Sequence, residues 1–219
     1  MLIITIILVN VKKYKLEEYV QIRYDYFALY STNDKVGVID RNGNIILEPE
    51  YSDVFIPNPS RAVFICYESN GNYKILDSNN KELYTNYEGV EPLQTSQLDL
   101  DFEKVFFKFK KNGKYGLIDY DGNEIVSAIY DEVQSLKYRP GEILVKKGNK
   151  YGIIGSDGKI KIDIKYDSII GDEYFSTKYG YGTTGYIVGE KSENGFLYGY
   201  LNNYGEKVLD NKFESITRV

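Results

Sequence analysis

The stretch Gly113-Lys114-Tyr115-Gly116-Leu117-Ile118-Asp119-Tyr120-Asp121-Gly122-Asn123-Glu124-Ile125-Val126-Ser127-Ala128-Ile129-Tyr130-Asp131-Glu132-Val133 decides how the chain reads. Two short runs of strand-forming residues flank a polar turn, Asp119 to Gly122. The first run alternates, with Tyr115 and Leu117 on one face and Gly116 and Ile118 on the other. An Asp at the start of a turn accepts a backbone N–H, and a Gly in fourth place takes a left-handed φ. The turn is therefore a three-residue hairpin with a glycine bulge.

The pattern recurs at Lys35–Val54, Asn72–Val90, Lys150–Ile169 and Leu197–Ile216. The strand Gly is Gly37, Gly116, Gly152 or Gly199, and Lys74 stands in its place in the second copy. Six residues separate this position from the fourth turn position in all five copies: Gly43, Asn80, Gly122, Gly158 and Gly205. Asn80 is the non-glycine residue that best tolerates left-handed backbone, so the worn copy keeps the conformational demand. The later aromatic follows after fourteen residues in four copies and thirteen in the second. Spacing between copies varies from 36 to 47 residues, as in repeat architectures with fixed cores and variable connections.

The string Gly-Lys-Tyr-Gly-Leu-Ile-Asp-x-Asp-Gly followed by Tyr-Asp-x-Val resembles the WG-repeat (KWG) family of bacterial β-repeat proteins. That family usually carries Trp-Gly. Here the dipeptide is Tyr115-Gly116, Tyr151-Gly152 and Tyr198-Gly199, with Val36-Gly37 and Tyr73-Lys74 more divergent. The resemblance covers roughly residues 34 to 216. It implies repeated β-hairpins in a protein of the interaction type, with no common enzymatic activity.

The fold class is all-β, a repeat protein of about five 36–47-residue units. Residues 1–33 form an N-terminal strand and partial repeat, followed by repeats at 34–70, 71–111, 112–147, 148–191 and a truncated 192–219. The unit length suits a propeller blade. The last-strand pattern Phe27-Ala28-Leu29-Tyr30 would close a five-bladed β-propeller against Glu206–Leu209 or Phe213–Ile216. The alternative is an open twisted β-repeat array capped by the apolar run Leu2–Val9. Lys12–Gln21 also reads as a short helix.

Composition narrows the chemistry. With no His there is no histidine-based nucleophile system and no imidazole metal ligand. With Cys66 alone there is no internal disulfide and no thiolate zinc site, and its apolar surroundings make it a core residue. A net charge of −5 argues against a nucleic-acid partner. Lys108, Lys110, Lys111 and Lys114 read as a solvated strand end. Leu2–Val9 is too short to span a membrane as a helix. Absence of a convincing signal predicts a cytoplasmic protein, or a secreted or cell-envelope one if that run belongs to a signal.

No cofactor, metal or catalytic residue is expected. The Asp-x-Asp-Gly turns do not fit a calcium loop: counted from Asp119, Gly122 falls at position four and Tyr130 at twelve. A carboxylate pair of the glycosidase kind is the one catalytic chemistry the inventory leaves open, and no Asp or Glu stands in a distinctive motif. The 23 Tyr suit a binding surface. The expected function is a non-enzymatic scaffold for an unidentified protein partner, with a carbohydrate or cell-envelope binding module as the alternative. The longest connection, Gly171–Gly185, reads as an aromatic binding loop carrying Tyr174, Phe175, Tyr179 and Tyr181.

Overall fold

The computed structural model describes residues 24–95, 102–178 and 180–217. These form eighteen strands in five antiparallel sheets. The first sheet holds β1 (Tyr26–Tyr30), β2 (Val36–Asp40) and β3 (Ile45–Tyr51). The second holds β4 (Asp53–Phe55), β5 (Phe64–Tyr67) and β6 (Tyr73–Leu76). The third holds β7 (Gly89–Glu91), β8 (Phe106–Lys111), β9 (Lys114–Asp119) and β10 (Glu124–Tyr130). The fourth holds β11 (Glu132–Leu136), β12 (Arg139–Lys147), β13 (Lys150–Gly155) and β14 (Ile160–Tyr166). The fifth holds β15 (Ser168–Ser176), β16 (Gly180–Ser192), β17 (Gly195–Asn202) and β18 (Lys207–Phe213). Strands neighbour one another in chain order throughout, so each sheet joins the closing half of one sequence unit to the opening hairpin of the next.

The hairpin turns take the expected form. In the third sheet the Gly122 N–H donates to the Asp119 carbonyl, and Asp119 Oδ1 accepts the N–H groups of Asp121 and Asn123 at 2.9 and 2.8 Å. Asp40, Asp77 and Asn202 repeat this arrangement. Where Gly155 supplies no side chain, Asp157 Oδ1 accepts the Lys159 N–H instead. Asn80 adopts φ 59° beside 87° at both Gly43 and Gly122, so the left-handed requirement survives loss of the glycine.

Four apolar cores lie between consecutive sheets. Strand alternation assigns neighbouring residues to different cores. Phe107, Phe109 and Ile118 pack toward the second sheet with Ile65 and Ile75. Phe106 and Leu117 pack toward the fourth with Ile143, Val145 and Ile154. Ile153 turns the other way, to meet Ile169, Tyr186 and Val188 of the fifth sheet. Phe64, Cys66 and Leu76 face Val36, Val38 and Leu47 of the first. An inner sheet buried on both faces needs adjacent apolar residues, which is why Phe106-Phe107, Leu117-Ile118 and Ile153-Ile154 occur as pairs. Each fully buried side chain of this kind contributes about 1.5–3 kcal/mol.

The ring closure of a propeller is not made among the described residues. β1 pairs with β2, β18 pairs with β17, and the two stand in different sheets. The fifth sheet already has four strands, β15 and β16 from the fourth sequence unit and β17 and β18 from the fifth. It leaves no vacancy for β1 to fill. Among the described residues the array of sheets is therefore open. The readings of Leu2–Val9 and Lys12–Gln21 lie outside the described residues.

Candidate functional site

The repeat glycine explains both the regular sheets and the exception. In the other four sheets a two-residue step along the strand that opens the hairpin faces a four-residue step along its return strand, a bulge centred on the glycine. Val36 and Val38 face Tyr51 and Leu47; Tyr115 and Leu117 face Tyr130 and Val126. Tyr151 and Ile153 face Tyr166 and Ile162; Tyr198 and Tyr200 face Phe213 and Leu209. The bulge carries a backbone carbonyl onto the glycine. A Cβ on Gly37 would lie 2.3 Å from the Leu47 oxygen, and one on Gly116 would lie 2.3 Å from that of Val126. At Gly152 and Gly199 the corresponding distances, to the Ile162 and Leu209 oxygens, are 2.7 Å. No side chain fits there. The close approach comes from the strand's own neighbour in the sheet, and at Gly116 the Phe109 ring crowds the same position.

Lys74 cannot accept this bulge, and among the described residues the second sheet has no fourth strand. After the Asp77–Asn80 turn the described chain pairs with the β6 backbone only through the Leu76–Glu82 bridge and the bond from the Leu83 N–H to the Ile75 carbonyl, 2.8 Å. It then turns away. The space left beside β6 is a cleft of about 550 Å³. Tyr73, Tyr84 and Tyr87 line it, together with Glu68, Lys74, Glu82 and Glu88. This volume falls within the range of ligand-binding clefts.

The cleft wall is held in place from the third sheet. The Tyr84 hydroxyl donates to the Tyr120 carbonyl at 2.8 Å, and its ring packs 5.9 Å from that of Phe107. Burial raises the Tyr84 phenol pKa well above the ordinary tyrosine value. Tyr84 has φ 58°, a left-handed conformation that costs a bulky residue about 1–3 kcal/mol. The Tyr73 hydroxyl donates to the Val90 carbonyl at 3.2 Å. Lys74 Nζ lies 2.7 Å from Glu68 Oε1, and this bond holds the Glu68 carboxyl below its usual range.

The predicted aromatic loop is a hairpin arm in the structure. Tyr174 pairs with Gly182, Phe175 with Tyr181 and Ser176 with Gly180. Tyr174 and Phe175, as strand neighbours, point to opposite faces. The Tyr174 ring covers Gly182, where a Cβ would lie 2.7 Å from it, whereas Phe175 is 62% exposed. Tyr179 lies outside the described residues.

Two other features were not read from the sequence. Each Tyr-Asp step is a corner at which a strand of one sheet passes into the first strand of the next. The Asp131 N–H donates to the Lys146 carbonyl, while its Oδ2 accepts the Gly148 N–H at 2.7 Å and its Oδ1 pairs with Lys114. Asp167 does the same with the Gly189 carbonyl, the Lys191 N–H at 2.8 Å and Lys150. The cleft residues were also missed, although Lys74 and the thirteen-residue spacing marked their place. Three of the four clustered lysines are paired: Lys108 with Glu91 at 2.9 Å, Lys111 with Glu124 at 3.4 Å, and Lys114 with Asp131. Among the described residues no group of three or more His, Cys, Asp or Glu could hold a metal ion, and no helix is long and apolar enough to cross a membrane.

A family model described as the WG containing repeat matches residues 37–58, 115–151 and 151–176. These stretches are similar to WG repeats. Each match begins at the Gly or the Tyr-Gly step, so the matched unit runs from the bulge glycine through the corner after the later Tyr into the next sheet. The cleft-forming copy, Asn72–Val90, lies outside the matched stretches. No curated protein matches the chain.

Proposed function

We propose that this chain is a non-catalytic scaffold for a protein partner, with the second sheet as its binding side. One observation carries the reading: β6 is the third strand of a sheet that has no fourth strand among the described residues, and its edge adjoins a cleft of about 550 Å³ walled by Tyr73, Tyr84 and Tyr87. Exposed strand edges and tyrosines are the groups that protein interfaces use. The non-catalytic part rests on the inventory. Cys66 is fully buried, and burial pushes its thiol up to about 12. The motif carboxylates of Asp119, Asp131 and Asp167 are spent on backbone amides.

A carbohydrate reading draws on one feature. The Phe196 and Tyr198 rings stack with centroids 6.1 Å apart and planes 19° from parallel. Photocrosslinking separates the two readings. A crosslinking amino acid at Thr85, on the cleft wall, is expected to capture one protein from the source organism. Excess unmodified chain should compete it away. Binding on a glycan array that is lost with Phe196→Ala and Tyr198→Ala, without protein capture, would favour the sugar.

A further inference from the structure

The open edge of β6 has a definite chemistry, and the other four sheets show what belongs beside it. In each of them the strand that opens the hairpin pairs on this side with its antiparallel return strand, the fourth strand in three sheets and β3 in the first. On β6 the Ile75 carbonyl already points to the open side, where it accepts the Leu83 N–H. Tyr73 is two residues away and its peptide groups face the same side. Among the described residues no backbone partner reaches Tyr73 there. An edge of this kind takes up an extended chain through main-chain hydrogen bonds.

Charge selects the kind of chain. The cleft is lined by Glu68, Glu82 and Glu88 against Lys74. Lys74 is bound to Glu68, so Glu82 and Glu88 set the sign that an incoming segment meets. Glu88 is fixed in position by the Gly113 N–H, 3.3 Å from both its oxygens. The Lys74 side chain excludes a fourth strand bulged like those of the other sheets and leaves room for a regular one.

Resting on the scaffold reading, we propose that β6 binds an extended, basic segment of a partner protein as an antiparallel fourth strand, paired through the Tyr73 N–H and C=O. Lysine or arginine side chains of that segment meet Glu82 and Glu88, and its apolar side chains meet the Tyr84 and Tyr87 rings.

The test uses the full chain and a random heptapeptide display library as the probe. Selected peptides are expected to be rich in Lys, Arg and β-branched residues. Binding should weaken at least tenfold with Tyr73→Pro, which removes the outward N–H, and with the double variant Glu82→Lys, Glu88→Lys. The second variant changes two exposed side chains and keeps the test valid if the first fails to fold. Bound peptide should also slow hydrogen exchange of the Tyr73 amide. Peptides that bind both variants as tightly as the parent overturn strand addition. So does a library that yields no peptide above an unrelated control chain. If Thr85 still crosslinks a protein in that case, the scaffold reading stands and only strand addition falls. If the cleft instead binds glycans, with loss on Tyr73→Ala, both readings fall.

Discussion

Lys150 Nζ lies 2.8 Å from Asp167 Oδ1, seventeen residues along the chain, and Lys114 makes the same pair with Asp131 one unit earlier. In both units the lysine precedes the Tyr-Gly step and the aspartate follows the later Tyr. The aspartate also accepts a backbone N–H from the hairpin of the next sheet. One carboxylate therefore ties together the start of a repeat, its end and its successor.

This unequal sharing predicts unequal effects. Asp167→Ala frees a lysine and leaves the Lys191 amide without its acceptor, whereas Lys150→Ala loses only the ammonium. Thermal denaturation is expected to show the larger fall in Tm for Asp167→Ala, with the same order at Asp131 and Lys114. Equal losses within each pair would mean that the ion pair, and not the amide contact, holds the corner.

The same carboxylates govern acid stability. The Lys114 ammonium, then the Gly148 amide, lowers the Asp131 pKa; the Lys150 ammonium, then the Lys191 amide, does so for Asp167. Stability from a depressed carboxyl is fully present above its unfolded pKa of about 3.9 and is lost as pH falls through the lower folded value. Chemical denaturation between pH 6 and pH 2 should show this loss in the parent chain. The loss should be smaller in Asp131→Asn, Asp167→Asn.

Glu103 should behave in the opposite sense. It is 3% exposed, and burial raises its pKa despite the Gly141 N–H donated to Oε1 at 2.7 Å. A carboxyl with a raised folded pKa costs stability when ionised and stops doing so as pH falls through that value. Glu103→Gln keeps an acceptor for Gly141 and removes the charge. It is expected to raise Tm at pH 7, with the gain shrinking toward pH 4. A gain independent of pH would show that the charge is not the cause.

The bulge glycines and Lys74 make a paired test. Gly116→Ala and Gly152→Ala force a methyl against a carbonyl oxygen and should each cost about 1–3 kcal/mol or more. Lys74→Ala, at the equivalent place in the sheet without a fourth strand, should stay within about 0.5 kcal/mol, as exposed substitutions do. Urea unfolding of the three variants reads this directly. A large cost at Lys74 would overturn the link between the glycine and the fourth strand.

At the turn of the worn copy, Asn80→Gly should match or exceed the parent in Tm. Asn80→Ala should lose about 1–2 kcal/mol, the cost of placing a Cβ with no compensating amide in left-handed backbone. Similar behaviour of the two variants would place the Asn80 contribution in its side chain.

The sequence by itself determined what depends on a few neighbouring residues. The Asp119–Gly122 turn and its copies, the left-handed Asn80, and the two-sided Leu117-Ile118 strand all follow from local sterics and alternation. So did the repeat itself, because the same local chemistry recurs at the same spacing. Tertiary structure decided which strands meet. Whether Gly171–Gly185 forms a loop or an arm depends on registers closed by Tyr174 against Gly182, and those pay off only when the fifth sheet forms. Whether β1 meets β18 depends on which hairpin a closing strand joins, and β1 joins the hairpin that follows it, as the closing strands of every other sheet do. The open edge of β6 lies between these cases. Lys74 in place of glycine was visible from the start, but its meaning was not. It emerges only when the other four glycines are seen under the carbonyls of their bulged partner strands.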